Sequence, residues 1–153
     1  MMFGLFSGIN FISIVILCSK LAFANPDETP KNVSPFPIDG KWSIYQVIFR
    51  GDPREPTHTL LELDLQDGQS RLFWKQIDDE GFCERTGNYR YSYPFLEDEV
   101  TWANPKNLIE CATDPDMRVG NRSITKADDT DGMLRLYLPL GDDQLIYVFK
   151  PRQ

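Results

Sequence analysis

From Lys41 onward the chain keeps a rhythm that few folds accommodate: short stretches of alternating apolar and polar residues, punctuated by turn signals. Residues 57–65 (THTLLELDL) put Leu61, Leu63 and Leu65 on one face and Glu62 and Asp64 on the other. Successive side chains of a strand point to opposite faces, so such a stretch has a dry side and a wet side. Asp67-Gly68 then signals a tight hairpin, and residues 71–77 (RLFWKQI) make the return strand. Similar stretches occupy residues 41–50, stopped by Gly51-Asp52-Pro53, and residues 82–93, where Tyr89, Tyr91 and Tyr93 alternate with Asn88, Arg90 and Ser92. Others are 95–102, ended by Asn104-Pro105, then 121–126, 133–138 after Asp131-Gly132, and 144–150 after Gly141-Asp142.

These are eight strand candidates, and residues 103–119, with two prolines and Cys111, read as a loop or a single helical turn around Leu108-Ile109. Short connections make sequential strands antiparallel, and closure removes the unpaired edges of the sheet. The expected fold is all-β, an antiparallel eight-stranded up-and-down barrel; a sandwich of two four-stranded sheets is the alternative. A barrel of this size is either filled by its own side chains or holds one small ligand.

The N-terminus belongs to a different regime. The apolar run from Phe11 to Leu17 is short of the roughly 20 residues a membrane span needs. Followed by Ala22-Phe23-Ala24, it reads as a secretory signal over residues 1–24, although no Lys or Arg precedes it. An uncleaved anchor starting at Phe3 is the alternative. Cys18 is not read as a lipid-anchor site, because Leu17 stands where that motif needs a small residue. Residues 25–37, with Pro26, Pro30, Pro35 and Pro37, form an extended tether, leaving 38–153 as the barrel domain. After cleavage two cysteines remain, Cys83 and Cys111, and an even pair in an exported chain reads as one disulfide. Two buried free thiols are the alternative.

Charge and composition narrow the chemistry. A net charge of −7, which becomes −8 when Lys20 leaves with the signal, argues against nucleic acid, whose phosphates need a concentrated positive patch. His58 is the one histidine, so zinc sites and His-based triads lack material. There is no nucleophile elbow and no Gly-rich phosphate loop. The acids gather as Asp78-Asp79-Glu80, Asp114 with Asp116, and Asp128-Asp129 with Asp131, all at expected turns, where Asp bonds its own backbone. Residues 128–132 (DDTDG) lack the spacing of a calcium loop. No cofactor, metal or catalytic residue is expected.

Gly40-Lys41-Trp42, after a short irregular lead-in, resembles the Gly–x–Trp opening of lipocalins and related calycin barrels, most of all the small bacterial lipocalin-like domains. In that family the Trp plugs the closed end and packs on an Arg near the last strand. The resemblance therefore implies that Trp42 and Arg152 close the barrel, with Lys150 as the alternative cation. The chain lacks the Thr-Asp-Tyr motif and the long helix of full-size lipocalins. Cys83-x-x-x-Gly87-x-Tyr89, with Leu96 and Cys111, also resembles the META domain, but Glu84 replaces that motif's Asn and residues 112–120 cannot form its helix. Both likenesses imply a bacterial envelope, in the periplasm or outside the cell.

Barrel alternation must send some aromatic residues inward, to fill the core or to line a ligand cavity. With Arg90 facing water, Tyr89, Tyr91 and Tyr93 are expected inside, and with Trp74 and Trp102 they are the candidate ligand-binding residues. The expected activity is non-catalytic: an exported barrel holding a small apolar or amphipathic molecule, with no stable membrane insertion after cleavage. A filled barrel acting through its surface on a protein partner, as an envelope or inhibitor-like module, is the alternative. Both faces of the first and last strands are apolar, which favours some covering of the second face. N-terminal sequencing of the exported protein is expected to begin at Asn25, leaving 129 of the 153 residues; residue 1 or a lipidated Cys18 at the terminus overturns the cleavage.

Overall fold

The computed structural model describes residues 38–153; the expected signal segment, Cys18 and the tether lie outside the described residues. Its strands are β1 (Gly40–Phe49), β2 (Asp52–Arg54), β3 (Thr59–Gln66), β4 (Gln69–Gln76), β5 (Cys83–Ser92), β6 (Phe95–Ala103), β7 (Arg122–Thr130), β8 (Met133–Leu140) and β9 (Asp143–Pro151). A short helix α1 (Ile109–Thr113) and a 3-10 turn (Pro115–Met117) interrupt the strands between β6 and β7. The sequence β1-β3-β4-β5-β6-β7-β8-β9 is antiparallel throughout, and β9 pairs back on β1 from Trp42–Pro151 to Phe49–Leu145. That closes an eight-stranded barrel and excludes the sandwich.

The hairpins follow the turn chemistry. Asp67 and Gly68 have φ of 50° and 80°, and Asp131 and Gly132 have 57° and 71°. Two positive φ values in a row match the twist of the flanking strands, which is why Asp-Gly marks these corners. A third pair of this kind, Arg50 and Gly51, reverses the chain so that β2 adds to the far half of β1. The sequence signals only a stop at Gly51-Asp52-Pro53, whereas Asp52–Arg54 returns as a strand, with Arg50 in a turn position that Arg rarely takes. Here its guanidinium is held by Asp143, with Nε and Nη2 donating to the carboxylate at 3.0 and 2.6 Å.

A bulge explains the double-sided apolarity of β1. The register against β9 shifts between Ile44 and Gln46, leaving Tyr45 unpaired. An extra residue inverts the alternation beyond it. Trp42 and Ile44 therefore face inward before the bulge, and Val47, opposite Tyr147, faces inward after it. Further along the sheet β7 runs longer than expected, through Asp128-Asp129, and these acids are strand residues rather than turn residues. Asp128 sits opposite Arg135 and accepts hydrogen bonds from Tyr137 Oη at 2.6 Å and Thr130 Oγ1 at 2.8 Å, so its strand position is satisfied.

Two apolar clusters fill the molecule. The larger gathers Ile38, Trp42, Leu63, Leu65, Tyr89, Leu96, Ala127, Leu134 and Phe149 at one end of the barrel. Each large side chain so buried is worth about 1.5–3 kcal/mol. Trp42 Nε1–H donates to the Ile38 carbonyl at 3.1 Å, so the plug leaves no indole donor unmatched. The smaller cluster joins Cys83, Cys111 and Met117 to Leu72, Trp74 and Leu108 beneath the α1 segment.

Cys83 and Cys111 form the disulfide, 28 residues apart with Cα atoms at 5.7 Å. Cross-linking a loop of that length is worth roughly 3–4 kcal/mol if it acts through the unfolded chain. Glu84, next in sequence, holds the same segment by hydrogen bonds. Its N–H donates to Asn107 Oδ1 at 2.7 Å, Asn107 Nδ2 donates to its carbonyl at 2.9 Å, and Asn104 Nδ2 and Arg71 Nε each donate to its carboxylate at 2.7 Å. The bond from Asn104, then those from Arg71, holds the Glu84 carboxyl below its ordinary value of 4.5, against the opposing effect of burial. A lowered folded-state value stabilises the fold above the unfolded value, and that contribution is lost as pH falls through the folded one. Glu84→Gln is therefore expected to cost about 1–2 kcal/mol near neutrality and much less once the pH has fallen through the lowered folded-state value. Urea unfolding from neutral to acid pH reads both, and an unchanged acid limb would remove the carboxylate from the stability balance.

Candidate ligand-binding site

The alternation that builds the wall decides what faces the interior. On β3 these are Leu61, Leu63 and Leu65, on β4 Ser70, Leu72 and Trp74, and on β5 Cys83, Arg85, Gly87 and Tyr89. The end holding Trp42 and Phe149 is packed, and the other is hollow. A cavity of about 440 Å³ opens there, walled by Leu61, Leu72, Leu136, Leu138, Trp74 and Tyr147, with Leu63, Leu65, Leu96 and Phe149 of the packed cluster also on its lining. That volume falls within the range of small-molecule sites. Burial pushes the Tyr147 phenol above its ordinary value, so it stays neutral. The α1 segment crosses the mouth, with Glu110, Asp114, Asp116 and Met117 on the lining.

Ser123 and Thr125 of β7 add hydroxyls to this wall, and a charged group interrupts it. Arg85 Nη1 donates to Asp98 Oδ2 at 2.6 Å, and Ser70 Oγ donates to Asp98 Oδ1 at 2.6 Å. Arg85 is only 8% exposed, and its Nε is buried without a hydrogen-bond partner. The cluster lies against Gly87, where an added Cβ would stand 2.5 Å from the Glu99 carbonyl oxygen and 2.8 Å from Ser70 Oγ. Only a residue without a side chain lets the Ser70–Asp98 pair approach the wall.

Of the five aromatic candidates, Trp74 lines the cavity. Tyr89 is buried in the packed end and donates its hydroxyl to Asp39. Burial, then the Asp39 carboxylate, holds its phenol far above the ordinary tyrosine value. Tyr91 donates to the Ala127 carbonyl at 3.2 Å, and burial raises its value too. Both hydroxyls thus have protein partners. Tyr93 does not face inward: β5 ends at Ser92, and Tyr93 precedes a cis Pro94, 77% exposed. Trp102 is turned out by a bulge. Gly87 pairs with Val100 but Thr86 with Trp102, so Thr101 is an extra residue and Trp102 takes the outer face, 43% exposed.

Trp42 plugs the packed end, while Arg152 works on the outside. Its backbone N–H donates to the Lys41 carbonyl at 2.7 Å, and its guanidinium pairs with Glu62 and, at 2.7 Å, with Asp64 on the outer face of β3. Arg71 joins the same network through Asp64 and Glu84. His58 lies on the surface with Asp78 at 3.3 Å, away from the cavity lining. Among the described residues no three His, Cys, Asp or Glu side chains gather as a metal site.

The sequence reading missed Arg85, Asp98 and Ser70. Arg85 lies two residues before Gly87 on the face of Tyr89, and Asp98 lies between Leu96 and Val100. Charged residues at the parity of buried ones were the signal, since a buried charge needs a specific partner.

No family model and no curated protein matches the chain. Among solved structures, the chain is similar to a lipocalin-like protein from Bacteroides uniformis, with 17% identity and a TM-score of 0.50, over 74% of this chain and 97% of that one. An uncharacterized protein from Bacteroides eggerthii aligns at 15% identity and a TM-score of 0.48, over 74% and 98%. Neither is described as a META domain. The barrel is lipocalin-like in fold. Gly87→Ala is expected to cost about 1–3 kcal/mol, because the obstructing atom is backbone and cannot swing aside. Thermal unfolding measures it, and a melting temperature equal to the wild type would show that Gly87 does not shape the wall.

Proposed function

We propose that the chain is an exported, non-catalytic binding protein that takes one small apolar or amphipathic molecule into the hollow half of its barrel. The observation that carries this reading is the leucine-lined cavity of about 440 Å³ opposite a fully packed end. Apolar surface of this kind rewards an apolar guest by the area removed from water. Export is supported by the disulfide, since such bonds persist in oxidising compartments such as the bacterial periplasm or the extracellular medium. A non-catalytic role fits the disposition of the reactive groups: His58 is on the surface, and the cysteines Cys83 and Cys111 are bonded to each other.

A surface role, as an interaction or inhibitor-like module, rests on a different observation. Phe95 and Ile124 are diagonal neighbours on the outer face of β6 and β7, and both are exposed, with Tyr93 close by in sequence. The two readings separate by experiment. Native mass spectrometry and titration with an uncharged solvatochromic dye are expected to show one displaceable guest. Leu138→Trp places a large ring in the cavity at a position that is not packed against the Trp42–Phe149 cluster, and is expected to weaken dye binding roughly tenfold or more. Dye binding that ignores this substitution, with the near-ultraviolet circular dichroism unchanged, would move the function to the outer surface.

A further inference from the structure

The polar cluster in the cavity wall limits which guests fit, and this inference rests on the cavity being the binding site. Asp98 is already charge-paired: one carboxylate oxygen accepts from Ser70 Oγ and the other from Arg85 Nη1, each at 2.6 Å, and as an acceptor-only group it offers nothing to a guest carbonyl. Arg85 is different. A guanidinium is donor-only, with five N–H groups, and among the described residues the bond to Asp98 is the one hydrogen bond that the Arg85 side chain makes. Its Nε is closed off without an acceptor, whereas Nη2, which makes no hydrogen bond among the described residues and is not closed off, is the donor left to the cavity that the side chain lines. A poorly solvated donor without an acceptor is costly, and the cost is recovered when an acceptor arrives.

Charge decides what kind of acceptor that is. Asp98 already neutralises Arg85 from 2.6 Å, inside a wall where both side chains are 10% exposed. An anionic guest would add a second negative charge in a poorly solvated place, and it would enter past Glu110, Asp114 and Asp116 at the mouth. An uncharged carbonyl oxygen accepts the Nη2–H without that penalty. We propose that Arg85 is the recognition residue of the cavity, and that the guest is an uncharged molecule with an apolar body and a carbonyl-type acceptor, of the amide, ester or ketone class. Leu61, Leu72 and Leu136 receive the body, and Arg85 selects the acceptor.

A matched series tests this: decane, decanamide and decanoate, each titrated against the purified protein by displacement of the uncharged dye. Decanamide is expected to bind roughly tenfold or more tightly than either decane or decanoate. Replacing Arg85 alone would leave Asp98 buried and unpaired, so the variant of choice is the double substitution Arg85→Met with Asp98→Asn, its fold checked by circular dichroism. In that variant the preference for the amide is expected to vanish. Decanoate binding as tightly as decanamide would overturn the charge argument. Equal binding of all three by the wild type would overturn recognition by Arg85 while leaving the cavity as the site. If none of the three displaces the dye from the wild type, the cavity reading falls and this inference falls with it.

Discussion

Everything inside this protein depends on the pairing of β1 with β9. That ladder runs from Trp42–Pro151 to Phe49–Leu145 and turns an open meander into a closed wall. Without it β9 would present an unpaired edge, and the inward residues of both strands would face water. The bulge at Tyr45 is the device that lets one strand serve both ends. Before it, even-numbered residues supply Trp42 and Ile44 to the packed end; after it, odd-numbered Val47 faces the interior opposite Tyr147. The outer network of Arg152, Arg71, Glu62, Asp64 and Glu84 then ties the chain's last residues to β3, β4 and β5.

Closure alone does not decide whether a barrel is solid. Here the division falls along the axis. Large side chains converge on Trp42, Leu65, Leu134 and Phe149 at one end. Toward the other end the wall carries leucines that surround a cavity, together with Gly87 and the Ser70–Asp98–Arg85 group. A small residue at Gly87 sets the hydrogen-bonded group back against the strand, so polar satisfaction and open volume have a common origin. A larger residue there would have pushed that group inward.

Much of the wall was legible in the sequence. Period-two alternation located eight of the strands, and Asp-Gly pairs located two of the hairpins, because both signals are local and carry their own steric reason. The features that escaped are the ones where local rules bend. Arg50 occupies a left-handed turn position through its bond to Asp143, a partner far away in the sequence. Thr101 and Tyr45 are bulged residues, and a bulge is a mismatch between two strands: at Tyr45 it shows in the sequence only as apolarity on both faces, which does not by itself locate it, and at Thr101 it shows not at all. That is why Trp102 was expected inside and lies outside. Tyr89 and Tyr91 were placed correctly as inward residues, but their hydroxyls find partners on β7 and before β1, so they complete the core instead of lining the cavity. The disulfide followed from counting cysteines. Arg85 and Asp98 were visible as charges at buried parity, and only their proximity shows that each answers the other.

The segment across the mouth is fastened twice, covalently at Cys111 and by the side chain of Asn107 on the backbone of Glu84. For a guest this is a matter of time as well as affinity. A rim already ordered before the encounter imposes no entropy of closure, so none of the binding strength gained inside the cavity would be lost to ordering it. Association would then be limited by diffusion through a fixed acidic doorway, and residence time by how well the guest fits the leucines. The same fastening ties the doorway to the redox state of its surroundings: in a reducing compartment only the hydrogen bonds would hold it, and the uptake kinetics would report where the protein resides.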